Sequence, residues 1–281
     1  MATPVPAPEA APSPEAAPST FLSVAEAFDC LRRGTGKGVK IAVLDSGIDL
    51  SHPKLEGLTL VDDLAVVEKG PRLEVVESHG IDLYGHGTAI AYLIRSMAPE
   101  AEIGSIRVLG ERLNSRTAII QEGACQALDR GYHILNCSFG CGIEEHILRY
   151  KSWIDQAYLR GVHIIAACNN VDFARPEWPG YFPTVLTANF CRSQHESSFY
   201  YRGGNLVEFA APGEDIEVPW LAGAMKQVTG SSYATPQIAG LLARLLSERP
   251  GLEPLEAKSL MQRLAQPWQE ELAGPNEKSL F

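Results

Sequence analysis

Positive charge is the scarcer sign in this chain: 24 Lys and Arg residues stand against 34 Asp and Glu, a net charge of −10 over 281 residues. An acidic surface repels phosphate backbones and anionic headgroups, which argues against nucleic-acid and membrane-surface partners. Long apolar runs are missing too, and no window approaches the roughly 18 uninterrupted apolar residues of a membrane helix. The six cysteines (Cys30, Cys125, Cys137, Cys141, Cys168 and Cys191) include no CxxC pair. Cys137 and Cys141 are four apart with no second pair to complete a four-ligand site, so no metal is expected at them. The first twenty residues contain no Lys, no Arg and no apolar stretch, which excludes a secretory signal of the usual form. Without one, the thiols are expected to be reduced and mostly buried.

That N-terminal stretch is instead rich in Ala and Pro, which fill twelve of its twenty positions. Six prolines without hydrophobic anchors cannot bury enough surface to offset their ordering entropy, so residues 1–20 are expected to form a disordered tail. A sharper alternative is a segment that lies across a binding cleft. The rest of the chain is suited to a core, with 45% hydrophobic and 21% charged residues overall. After a short helix over Ser23–Arg33, ended by Gly34 and Gly36, Val39–Leu44 reads as a strand apolar on both faces. Similar runs recur at Glu102–Leu109, His133–Cys137, Val162–Ala167, Thr184–Ala188 and Val207–Ala211. Helical patterns separate several of them: Ile120, Ala124, Ala127 and Leu128 share one face of Ser115–Arg130, His146–Arg160 is helical, and Ser231–Arg249 keeps Ala234, Ile238, Leu241, Leu242 and Leu245 in register. Strands alternating with helices predict an α/β fold, a mostly parallel twisted sheet flanked by helices on both faces. One domain is expected over residues 21–265, followed by a polar C-terminal tail over 266–281; the Pro- and aromatic-rich loop 170–183 is long enough to be functional.

Three motifs carry chemistry. VLDSGID ends the first strand with Asp45, at the carboxyl edge where open α/β sheets place their sites. GHGT, Gly85–Thr88, flanks His86 with glycines that let backbone approach the imidazole and opens a helix over Ala89–Met97. TGSSYATPQIAG, Thr229–Gly240, puts Ser232 at the start of an amphipathic helix, whose free N–H groups favour developing negative charge. A simpler reading makes Ser231 or Ser232 a helix cap.

Asp, then His, then Ser is the chain order of subtilisin, and the chain resembles the subtilisin-like serine proteases (subtilases) over roughly residues 37–250. The motifs that carry the resemblance are IAVLDSGIDLSHP, GHGT and GSSYATPQIAG. It implies a three-layer sandwich and a serine endopeptidase with Asp45, His86 and Ser232 as the triad. ILNCSFG resembles the strand that pairs with substrate backbone, with Ser138, Phe139 and Gly140 lining the cleft. HIIAACNN resembles the strand carrying the oxyanion asparagine, which falls on Asn169, although Cys168 stands where relatives usually have Gly. The chemistry is coherent in itself: His86 is the residue type suited to take a proton from Ser232, Asp45 would orient the imidazole, and Asn169 with the Ser232 amide would hold the oxyanion.

The chain departs from its relatives in three ways. The helix after His86 runs HGTAIAYLIRSMAPEAEI without the inserted calcium loop, and Lys54 stands where a ligand Asp is common, so no calcium is expected there and no cofactor is called for. Only the Ala/Pro tail stands where a folded prodomain is usual, which favours a cytoplasmic protease whose tail restrains it. WPGYFP matches the segment beyond the primary specificity pocket and puts Glu177 at or near its base. A carboxylate there favours Arg or Lys at P1, the residue on the acyl side of the scissile bond. An apolar or aromatic pocket, with Glu177 turned to solvent, is the alternative. The expected partner is a peptide or protein substrate. Two other readings remain open, a maturation protease that removes a leader from one precursor and a catalytically silent peptide-binding module. His52 is expected to order a turn, His133, His146, His163 and His195 lack triad context, and Trp178, Tyr181 and Phe182 either grip substrate or pack on one another.

Overall fold

The computed structural model describes residues 22–192, 197–204 and 206–269. Helix α1 (Val24–Arg33) starts from a capping box in which the Ser23 hydroxyl accepts from the Glu26 amide and the Glu26 carboxylate accepts from the Ser23 amide. Strand β1 (Lys40–Asp45) follows, then a hairpin of β2 (Leu60–Lys69) and β3 (Arg72–Glu77), helix α2 (His86–Met97) and β4 (Glu102–Arg107). Helix α3 (Thr117–Asp129), β5 (Ile134–Cys137), α4 (Ile147–Leu159), β6 (His163–Ala167) and β7 (Leu186–Cys191) make the next crossovers. The chain continues through β8 (Tyr200–Tyr201), β9 (Phe209–Pro212), a hairpin of β10 (Ile216–Pro219) and β11 (Met225–Val228), α5 (Ser231–Glu248), α6 (Pro254–Leu264) and β12 (Gln266–Pro267).

Ten strands form one sheet in the order β12-β8-β9-β7-β6-β5-β1-β4-β2-β3, antiparallel only at β2/β3 and β8/β9. Because β1 is apolar on both faces, it needs cover on both sides, and its residues divide accordingly. Ile41 and Val43 join the core under α1, α2, α5 and α6, whereas Ala42 and Leu44 join the core under α3 and α4. By the same two-residue alternation Asp45, the last residue of β1, belongs to the α2/α5 side. The predicted α/β sheet with helices on both faces is therefore present. From β1 the chain departs toward β2 and β4, and from β5, on its other side, toward β6, so β1 and β5 flank a topological switch point with a crevice at their carboxyl ends.

Some elements differ from the sequence expectation. The strand expected at Thr184–Ala188 runs from Leu186 to Cys191, because the Val185 amide is turned back onto the Phe182 carbonyl. The strand expected at Val207–Ala211 is Phe209–Pro212. Both hairpins and α6 were not expected; the hairpins are half polar and outward-facing, which dilutes the apolar runs that mark the interior strands. Gln266 and Pro267, placed by sequence at the start of the C-terminal tail, pair in parallel with Tyr200 and Tyr201. The remainder of that tail from residue 270 and the N-terminal tail of residues 1–20 lie outside the described residues. No helix among the described residues is long and apolar enough to cross a membrane.

His163 opens β6 and is 2% exposed. Burial, with the nearby His133 adding to it, holds its pKa down to about 4 from 6.5, against a raising hydrogen bond with the Leu252 backbone. A histidine kept neutral by the fold contributes stability that is complete above the unfolded pKa and is lost as pH falls toward the folded one. Lowering the pH from 7 to 5 should therefore cost about 2 kcal/mol through this residue alone. Urea unfolding of Ser232→Ala protein at the two pH values is expected to show that loss, and His163→Leu in the same background should remove most of it. An equal pH dependence in both proteins would refute the assignment.

Candidate active site

Asp45 is fully buried, and its backbone carbonyl accepts from the amides of both Val108 and Leu109 at 2.8 and 3.0 Å, which anchors the end of β1 to the turn after β4. Its carboxylate accepts from the Ser46 amide at 2.7 Å and faces His86 Nδ1 with both oxygens, at 2.8 and 2.9 Å. That contact assigns the proton to Nδ1 and leaves Nε2 as the basic nitrogen. His86 is the first residue of α2 and is 3% exposed, its ring packed on Tyr233 at 5.3 Å between centroids. Burial, followed by the charge of Asp45, pushes the Tyr233 phenol well above its ordinary pKa, so it packs here as a neutral ring.

Helix α2 reaches Asp45 because of two features around the histidine. Gly85 caps it in a left-handed conformation (φ 96°), and a Cβ on Gly87 would lie 2.0 Å from the Gly47 carbonyl oxygen. Only a bare backbone lets the helix approach the strand end so closely. The second feature is Asp82, a buried carboxylate that the sequence reading missed. Its Oδ1 accepts from the Gly85 and Tyr84 amides and the Ser46 hydroxyl, and its Oδ2 from the amide and hydroxyl of Thr88. An Asp shortly before a helix start is a recognisable signal of this role, here hidden three residues before the cap.

Neither serine of the third motif caps α5. Gly230 holds the cap with no side-chain bond, and Ser231 and Ser232 are the first two helical residues. Ser231 is buried, its hydroxyl donating to the Cys168 carbonyl and its amide to Asn170 Oδ1, each at 2.8 Å, so α5 is tied to the end of β6. Ser232 is partly exposed, and its hydroxyl donates to the Ser138 carbonyl at 3.1 Å. Pro236 sits inside α5 and has no N–H, so the Ser232 carbonyl four residues earlier lacks its helical partner. The Ser138 hydroxyl donates to that carbonyl at 2.8 Å, and itself accepts from Asn136 Nδ2 at 3.0 Å. Ser138, expected in the cleft lining, thus turns its side chain inward as a lock between β5 and α5. Phe139 is half-buried against the α3/α4 core, and Gly140 is exposed.

Asn169 follows β6. Its Oδ1 accepts from the amides of Val171 and Asp172, both at 2.9 Å, which fixes the side chain and directs Nδ2 the other way. Nδ2 donates to Glu177 Oε1 at 2.7 Å. The Glu177 side chain lies against Gly140, where a Cβ would lie 2.5 Å from Oε2. The next residue, Trp178, exchanges both backbone hydrogen bonds with Cys141 at 2.9 Å, so the two segments run as adjacent walls. The fold thus pairs Asp45 with His86, Ser232 with Ser138, and Asn169 with Glu177, which lies against Gly140, all from elements far apart in sequence.

The remaining candidates are structural. His52 is buried, accepts from the Lys54 amide and meets the Ala224 carbonyl through Nε2 at 3.0 Å, ordering its turn as expected. Trp178 is buried, and with Tyr181 and Phe182 it packs in the α3/α4 core. His133 accepts from the Lys40 amide, and His146 pairs with the Thr117 hydroxyl. His195 lies outside the described residues. Lys54 is exposed on a short 3-10 turn, and no cluster of His, Cys, Asp and Glu among the described residues is arranged to hold a metal.

A family model described as the subtilase family matches residues 36–279. The chain belongs to the subtilase family. This subtilase is 26% identical over 216 residues to thermitase from Thermoactinomyces vulgaris, covering 76% of each chain. It is 26% identical over 249 residues to the thermophilic serine proteinase of Bacillus sp. strain AK1, covering 85% of this chain and 59% of that longer one. Among solved structures it matches a cold-adapted subtilisin-like serine proteinase at a TM-score of 0.67 and 25% identity, over 82% of this chain and 83% of the other. The chain is thus a subtilisin-like serine endopeptidase with the corresponding three-layer fold.

Proposed function

We propose that the subtilase cleaves peptide bonds through an acyl-enzyme formed on Ser232. His86 Nε2 takes the Ser232 proton as the hydroxyl oxygen attacks the scissile carbonyl, and Asp45 holds the imidazole in the required tautomer and stabilises it once charged. The tetrahedral oxyanion is held by the Ser232 amide, at the positive end of α5, and by a side-chain amide; Asn170, whose Oδ1 takes the Ser231 amide at 2.8 Å, suits that role better than the expected Asn169, whose Nδ2 is given to Glu177. His86 returns the proton to the leaving amine, and water, activated by the same nitrogen, releases the acid. The observation that carries this reading is the buried, two-oxygen contact between Asp45 and His86 Nδ1, since it prepares one nitrogen as donor and the other as base. Phe139 and Gly140 line a groove of about 630 Å³ that runs to Leu113, His146 and Tyr150, and with the backbone of Ser138 they supply the wall along which an extended substrate lies.

A fluorophosphonate probe tests the assignment. It should label the protein once, on Ser232, and Ser232→Ala should abolish labelling. A labelled Ser232→Ala protein would move the nucleophile to another residue, and an unlabelled wild type would leave a peptide-binding module.

We further propose a preference for Arg or Lys at P1, supported by the half-buried Glu177 carboxylate against Gly140. Fluorogenic peptides differing only at P1 test it, and higher kcat/KM for Phe or Leu than for Arg would refute it. A reducing, cytoplasmic setting is our reading of the thiols: Cys30 lies in the α1/α2/α5/α6 core and Cys137 in the α3/α4 core, filling space as small apolar residues, and the buried Cys168 thiol donates to Asn189 Oδ1.

A further inference from the structure

We propose that Cys141 is a thiol-modification site, at which an anionic low-molecular-weight disulfide forms a mixed disulfide and closes the substrate groove. Cys141 is partly exposed and lines the groove of about 630 Å³ together with Thr117, His146 and Tyr150. Its Sγ lies 3.8 Å from His146 Nδ1, and the same nitrogen meets the Thr117 hydroxyl at 2.8 Å. Tyr150 is fully buried, and among the described residues its hydroxyl has no partner at hydrogen-bond distance. Burial, and then the nearness of the Cys141 and Cys137 thiols, pushes its pKa well above the ordinary phenol value, so the phenol keeps its proton. A buried donor without an acceptor is costly, and a thiolate on Cys141 would supply one. The thiol thus has a base and an unspent donor beside it, the setting in which a cysteine is nucleophilic. Its Sγ attacks one sulfur of the disulfide as His146 takes the thiol proton. The new S–S bond forms, the old one breaks, and the second half leaves as a thiolate that recovers the proton. Arg149 and Arg116, the latter already paired with Glu68, line the same groove and favour a disulfide that carries carboxylates.

The other thiols compete poorly. Cys30, Cys137, Cys168 and Cys191 are buried. Cys125 is half-buried, and burial followed by the charges of Glu122 and Asp129 raises its pKa, which lowers its thiolate fraction.

Cys141 follows Phe139 and Gly140 and pairs with Trp178, so an adduct there stands where an extended substrate passes. This closure rests on the reading that substrate lies along Ser138–Gly140; the reactivity of the thiol does not. The test treats the full chain at neutral pH with oxidised glutathione, and follows it by peptide mapping and by cleavage of a fluorogenic peptide. One mixed disulfide is expected, on Cys141, with residual activity matching the unmodified fraction and both changes reversed by dithiothreitol. His146→Ala should slow adduct formation about tenfold or more, since it removes the proton acceptor. Tyr150→Phe, which removes only the hydroxyl, should slow it as well. Cys141→Ser protein, compared with its own untreated activity, should not respond. Cystamine, a cationic disulfide, should react more slowly than oxidised glutathione, and the reverse order would refute recognition of an anion. An adduct that forms first on Cys125, or on no cysteine, would refute the site. An adduct on Cys141 that leaves cleavage unchanged would refute the closure, with the acyl-enzyme reading intact. A reduced wild type that neither cleaves peptide nor takes a fluorophosphonate would instead overturn the acyl-enzyme reading, and the mapping of Cys141 would still decide the site.

Discussion

Ser232→Ala and His86→Ala are each expected to lower kcat by about 10⁶-fold, a magnitude taken from subtilisin, and the double variant should lose no more than either alone. Non-additivity follows from the geometry. The Ser232 hydroxyl has no carboxylate of its own, and its recorded partner is a backbone carbonyl, that of Ser138, which cannot accept a proton in the reaction. Without His86 the hydroxyl is an ordinary alcohol, and without Ser232 the imidazole has nothing to activate. Asp45→Asn should cost less, about 10⁴-fold, because the ring remains in place while the facing amide favours the tautomer with Nδ1 unprotonated. Steady-state cleavage of a fluorogenic peptide, with inhibitor titration to exclude contaminating wild type, measures all three. Losses from Ser232→Ala and His86→Ala that multiply in the double variant would show that the two residues do not act as one unit. The distinctive part of this site is the buried two-oxygen contact of Asp45, which leaves the carboxylate no solvent-facing side.

What the sequence revealed of this arrangement follows the reach of its local signals. The interior strands were readable because β1, β5 and β6 are buried on both faces and carry unbroken apolar runs. The approach of His86 to Asp45 was readable because glycines flank the histidine, and the reason is visible at Gly87, where any side chain would strike the Gly47 backbone. Other parts depend on pairings across long separations that no window contains. Ser138 was expected to face substrate, yet its side chain serves the carbonyl left vacant by Pro236, 98 positions later in the chain. Asn169 and Glu177 were assigned separately, as oxyanion donor and pocket base. That they touch is a property of the loop between β6 and β7, and neither residue type nor spacing announces it. Asp82 was passed over for a similar reason: its acceptor role is spent on a helix start and a strand end that meet only in the folded chain.

Asp82→Ala should accordingly destabilise the protein by about 5 kcal/mol, although Asp82 takes no part in the reaction. Five donors converge on this one carboxylate: three backbone amides at the start of α2 and the hydroxyls of Ser46 and Thr88. Asp82 is 8% exposed and Ser46 and Thr88 are fully buried, so water has little access to replace what is removed. Each buried donor left without an acceptor costs about 1–3 kcal/mol, and partial relaxation of the loop keeps the sum below five independent losses. The strand side would suffer as well, since the Ser46 hydroxyl that donates to Asp82 also accepts from the Gly87 amide at 3.1 Å and so joins β1 to α2. Asp82→Asn retains one carbonyl oxygen but places an N–H₂ against donors, and should recover less than half of the loss. Guanidinium unfolding in a Ser232→Ala background, where self-digestion cannot distort the curves, reads both values. Because the same contacts set where His86 begins its helix, the alanine variant in the active background should also show a lowered kcat at temperatures where it remains folded. A stability loss under about 1 kcal/mol would mean that the loop before α2 finds other acceptors and that glycine packing alone places the histidine.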